Sequence, residues 1–72
     1  MNDYLVSWFD TEGNEWFGEW VGFKDALEQF YSISGSEENK VDDSQVSSEL
    51  WSDVDNKIIL RYDYTTNKYY QM

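Results

Sequence analysis

The sequence predicts an α+β domain: a small antiparallel sheet of about four strands in two hairpins, with one or two short helices packed on one face. Three observations carry this expectation. Residues 4–9 and 15–21 alternate in the manner of strands and are joined by a turn-rich cluster. Residues 57–64 form a β-branched and aromatic run, followed by a second turn cluster and a short last strand. Between the two hairpins the apolar spacing changes to that of a helix.

In the first strand Tyr4, Val6 and Trp8 share one face, and Leu5, Ser7 and Phe9 the other. Asp10-Thr11-Glu12-Gly13-Asn14 supplies the turn, with Gly13 or Asn14 suited to positive φ. The strand over 15–21 returns with Trp16, Gly18 and Trp20 on one face and Glu15, Phe17, Glu19 and Val21 on the other. Gly22 ends that pattern. Phe23, Ala26, Leu27, Phe30 and Tyr31 then recur at helical spacing through Ser32, with Asp25 and Glu28 toward solvent near the positive end of the helix dipole. Residues 35–45 are the most polar stretch and read as a long loop. A second helix is expected beyond it, capped by Asp42 or Asp43 and carrying Val46, Leu50, Trp51 and Val54 on one stripe, although three serines lower its propensity. Asp55-Asn56 turns into the strand over 57–64, and Thr65-Thr66-Asn67-Lys68 turns into Tyr69-Tyr70-Gln71.

Fifteen carboxylates against five basic residues give the chain a net charge of -10 in 72 residues, while 19% of its residues are aromatic. The chain therefore has material for a core and is not a solvated acidic tail. Its length allows one domain of marginal stability, for which pairing into a homodimer is one remedy. The charge is uneven: residues 1–36 and 37–55 each sum to -6, whereas residues 56–72 sum to +2. The N-terminus has neither a basic segment nor an apolar run of signal-peptide length. A soluble, cytoplasmic protein without membrane affinity is expected.

Cysteine and histidine are absent, so thiolate or imidazole metal sites, disulfides and the usual nucleophile–base pairs have no donors. No cofactor, no metal and no enzymatic activity are expected. Asp53-x-Asp55 and Asp10-x-Glu12-x-Asn14 begin like calcium loops, but Ile58 and Glu15 stand where glycine is required, and Tyr64 and Val21 stand where the bidentate glutamate is required. Direct binding of nucleic acid is disfavoured, because five basic residues cannot offset repulsion from phosphates.

The charge exceeds the magnitude of ~2–8 that serves solubility in a small domain. It is read as a surface for a basic partner. Same-face residues on a strand stand ~6.7 Å apart, close to the separation of adjacent phosphates. Glu15 and Glu19 are expected on one strand face with Asp10 and Glu12 leading into them, and Glu37, Glu38, Asp42, Asp43, Glu49, Asp53 and Asp55 in a second row. Tyr62, Tyr64, Tyr69 and Tyr70 cannot all be buried with satisfied hydroxyls in one hairpin, which makes them candidate interface aromatics.

In size, charge, lack of cysteine and hairpin-rich α+β pattern, the whole chain resembles the small acidic proteins with which bacteriophages and mobile elements disable host machinery. That resemblance is to a class and rests on no diagnostic motif. It implies mimicry of nucleic acid and competitive blockade of the DNA-binding groove of a basic protein in a bacterial host. The nucleoid histone-like protein comes first among such targets and a CRISPR or restriction nuclease second. The alternative is an acidic protein–protein adaptor or regulatory domain without DNA mimicry.

Overall fold

Turns built on positive-φ residues set the sheet. Gly13 (φ 84°), Asn56 (φ 57°) and Asn67 (φ 56°) occupy the left-handed region that glycine and asparagine tolerate best. The computed structural model describes residues 1–72. In chain order it contains β1 (Tyr4–Asp10), β2 (Glu15–Phe17), α1 (Phe23–Ser32), a single 3-10 turn (Glu37–Asn39), β3 (Gln45–Ser52), β4 (Lys57–Asp63) and β5 (Lys68–Gln71). The five strands form one antiparallel sheet in the order β2-β1-β3-β4-β5. The sheet thus has five strands rather than the expected four.

The additional strand is β3, where a second helix was expected. Val46, Leu50 and Trp51 imitate a helical stripe, but the segment lies between β1 and β4 and pairs with both along most of its length. Alternation replaces the helical period: Ser47, Glu49 and Trp51 face one side of the sheet, and Ser48, Leu50 and Ser52 the other. Long-range pairing overrides a weak local preference, because serines favour neither structure strongly. Val54 falls in the following turn and is exposed. Asp42 caps no helix; its carboxylate accepts from the backbone N–H and hydroxyl of Ser44, both at 2.8 Å.

Residues 15–21 do not form the one continuous strand that their alternation predicts. Regular pairing with β1 stops at Phe17. Gly18 N–H still reaches Val6 O at 2.8 Å, and Val21 exchanges two backbone hydrogen bonds with Tyr4 at 2.7 and 3.0 Å. The intervening residues leave the strand.

One face of the sheet packs against α1. Ala26 and Phe30 of the helix are fully buried against Val6, Leu50, Tyr62 and Tyr64. Burial of a side chain such as Phe30 or Leu50 stabilises the fold by about 1.5–3 kcal/mol. Val6, Leu50 and Leu60 stand in one row across three strands. The next row reads Trp16, Trp8, Ser48, Tyr62 and Tyr69. Ser48 at its centre is small enough for aromatic side chains to occupy both flanks. Gln45 ties this layer to the helix C-terminus: its Nε2 donates to Ile33 O and Ser48 Oγ, each at 2.9 Å. The opposite face of the sheet has no helix over it.

Candidate binding surfaces

Antiparallel register brings three acidic segments to one end of the sheet. Asp10, which closes β1, pairs with Gln45, which opens β3. The turn carrying Asp10 and Glu12 therefore lies beside the segment carrying Asp42 and Asp43. Glu37 and Glu38 precede that segment on the 3-10 turn. Apart from Asp10, which is half-buried, these carboxylates belong to exposed residues. Arg61 lines a cleft with Asp10, and Lys68 opens β5 at this same end; Lys40, the one basic residue between Glu37 and Asp43, is turned inward. Its Nζ lies 3.0 Å from Glu37 Oε1 and 4.9 Å from the centre of the Tyr64 ring.

Hydrogen bonds hold two of these carboxylates ionised. Desolvation is the largest single influence on Asp10 and works against its charge. Donors from Asn14 N–H, the Trp16 indole, the Asn14 amide and Glu12 N–H together outweigh it, and the Asp10 pKa lies below its ordinary value. The Ser44 N–H and hydroxyl lower the Asp42 pKa, although Asp10 nearby opposes the shift. The influence of Asp10 on Asp42 marks the two as electrostatic neighbours.

Other residues expected in the acidic rows lie elsewhere. Asp53 and Asp55 occupy the β3–β4 turn at the far end of the sheet, where Asp53 N–H donates to Asp3 O at 2.7 Å. About 20 Å of strand separates the two ends. Glu15 and Glu19 do not share a strand face, because β2 ends between them. Glu49 is fully buried in β3 and so takes no part in an exposed row.

Glu49 instead sits at the centre of the helix-free face. Phe17, Ser7, Glu49, Arg61 and Tyr70 stand opposite one another across the five strands, beside a row of Glu15, Phe9, Ser47, Asp63 and Lys68. Ser7 Oγ donates to Glu49 Oε1 at 3.5 Å and accepts from the Trp51 indole at 3.0 Å. Arg61 Nε stands 3.8 Å from Glu49 Oε2, too far for a hydrogen bond. Glu15 Oε2, Ser47 Oγ and Glu49 Oε2 are buried without hydrogen-bond partners. Desolvation raises the Glu49 pKa, assisted by the charge of Glu15. Ser47, Arg61 and Ser7 favour the ionised form but do not prevail. The nearby Ser47 hydroxyl lacks hydrogen-bond geometry and leaves Oε2 unmet.

The tyrosines divide by strand position. Tyr62 and Tyr64 are buried, which removes them as interface residues. Tyr62 donates to Asn67 Oδ1 at 3.1 Å; Tyr64 Oη reaches Ile33 O at 2.9 Å and Ser36 O at 3.0 Å. Desolvation pushes the Tyr64 pKa up to about 12. Tyr69 and Tyr70, on the edge strand β5, remain exposed. Ser7 and Arg61 are not apparent from the sequence because they meet Glu49 only once β1, β3 and β4 are paired, and Ser47 shares its face only because the segment is a strand.

An apolar groove of about 240 Å³ opens beside the acidic end, between α1 and the β1–β2 hairpin. Val6, Trp8, Gly18, Gln29, Ile33 and Val41 contribute to its walls. Three or more acidic side chains nowhere converge in a metal-binding arrangement, and no helix is long and apolar enough to cross a membrane. Comparison with protein families, curated proteins and solved structures gives no match to this chain.

Proposed function

We propose that this chain is an acidic binding protein, not a catalyst, that mimics nucleic acid and competitively occupies the DNA-binding groove of a basic bacterial protein. The observation that carries the reading is the convergence of Asp10, Glu12, Glu37, Glu38, Asp42 and Asp43 on one end of the sheet, where they outnumber the cations Lys40, Arg61 and Lys68 and where Lys40 is turned inward. Carboxylates oriented by hydrogen bonds offer fixed anionic acceptors to lysine and arginine, as phosphates do. A nonspecific DNA-binding protein such as a nucleoid histone-like protein suits a mimic that relies on charge, and a CRISPR or restriction nuclease is the second target class. Association is expected to be fast and to weaken steeply with salt.

The test is capture of partners from a bacterial lysate on the immobilised protein, repeated with added duplex DNA. Mimicry predicts that the captured proteins bind nucleic acid and that duplex displaces them. Partners that ignore DNA would sink it. The exposed edge of β5, with Tyr69 and Tyr70, favours a second reading as a protein–protein adaptor or as one half of a homodimer. Capture that survives reversal of the acidic end and is lost on changing Tyr70 to lysine would select it.

A further inference from the structure

The apolar groove beside the acidic end is a built feature. Val41 forms part of its wall and is 56% exposed. Its backbone N–H donates to Gln45 Oε1 at 2.7 Å, and Gln45 is itself fully buried and fixed on Ile33 and Ser48. The chain therefore presents a valine to solvent from an anchored position. Trp8, also part of the lining, stacks on Trp16 with ring centres 5.7 Å apart, and the Trp16 indole donates to Asp10 Oδ2 at 3.2 Å. The same carboxylate thus belongs to the acidic end and steadies the aromatic pair at the groove.

Acidic residues adjoin the lining residues along the chain. Asp42 and Asp43 follow Val41 in the chain, Glu19 follows Gly18, and Asp10 stands behind Trp16. No basic side chain lines the groove. Lys40, next to Val41, is retracted onto Glu37 and Tyr64. A mostly apolar lining with acidic residues adjoining it in the chain complements a basic segment that carries an apolar residue between its charges.

We infer that the groove receives one aliphatic side chain, of leucine size, from an arginine- or lysine-rich segment of the partner, while the flanking cations meet the adjoining acidic residues. The inference rests on the reading of the acidic end as a surface for a basic protein. It adds a contact that nucleic acid does not make and salt does not screen.

Two synthetic nonapeptides test it, each with four arginines on either side of a central leucine or a central alanine. The leucine peptide is expected to bind about tenfold more tightly, reflecting the additional buried methylenes. That ratio should hold between low and high salt while both affinities fall. In Val41→Asp the ratio should collapse toward one, with alanine-peptide binding unchanged or tighter because the variant adds a carboxylate. Ser32 also lines the groove, so filling it with Ser32→Phe should likewise abolish the preference, and circular dichroism checks that both variants fold. Equal binding of the two peptides to the wild type, or a preference that survives in Val41→Asp, overturns the inference. Failure of DNA to displace captured partners would instead count against mimicry and leave the leucine preference intact.

Discussion

Two regions of the molecule treat carboxyl groups in opposite ways. At the acidic end, Asp10 and Asp42 receive backbone and side-chain donors, and their pKa values fall. At the centre of the helix-free face, Glu49 is enclosed with one oxygen unmet, and its pKa rises. The fold does not display fifteen equivalent charges. It fixes ionised groups where chain segments meet at one sheet end and withholds one acid in a central strand. Charge counted from sequence therefore overstates the exposed acidic surface and misses its position.

Changing each region separately tests the contrast. The largest expected effect comes from reversing Glu37, Glu38, Asp42 and Asp43 to lysine together. Partner capture should fall by about 100-fold or more, because attraction becomes repulsion across the surface. Reversal of Asp53 and Asp55, at the far end, should leave capture within about twofold on the same physical ground. Equal losses from both sets would mean that net charge matters and position does not.

Glu49→Gln is expected to act on stability and to spare capture. Removing a buried charge with incomplete pairing should stabilise the protein at pH 7 by about 1 kcal/mol, or ~4 °C in Tm. Because the folded-state pKa of Glu49 is raised, its favourable contribution is fully present below its ordinary value of 4.5 and disappears as pH rises through the raised value. The advantage of the glutamine variant should therefore shrink as the pH is lowered toward 4.5. Thermal melts of both proteins across this range give the answer, and an advantage independent of pH would exclude Glu49 as its source.

A smaller effect of opposite sign is expected at Asp10. Asp10→Ala removes the acceptor for Glu12 and Asn14 N–H and for the Trp16 indole, so the β1–β2 turn should loosen and Tm should fall. Since the Asp10 pKa is lowered, its stabilisation is present above 3.8 and is lost as pH falls through the lower folded-state value. The variant should accordingly approach the wild type in strong acid. Hydrogen exchange at Asn14 reports the local loosening.

Much of the fold was legible because its signals are local. Gly13, Asn56 and Asn67 mark turns by chemistry, and Phe23, Ala26 and Phe30 mark the helix by period. The identity of β3 was not legible. One of its neighbours, β4, follows across a short turn, but the other, β1, is distant: Ser7 and Glu49 are 42 residues apart, so no local window contains both. The same distance hid the burial of Glu49. Tyr64 and Tyr70 look alike in sequence, but the first meets Ile33 and Ser36 beneath the helix whereas the second lies on an edge strand. At the acidic end, Asp10 and Asp42 were identifiable as acids, but their proximity depends on the pairing of β1 with β3.

Residue-resolved titration of the side-chain carboxyls by NMR is the most direct measurement of this division. Asp10 and Asp42 are expected to titrate below 3.8 and Glu49 above 4.5. Ordinary values at all three positions, or a Glu49 that ionises below 4.5, would contradict the separation between a preorganised acidic end and a withheld central carboxyl.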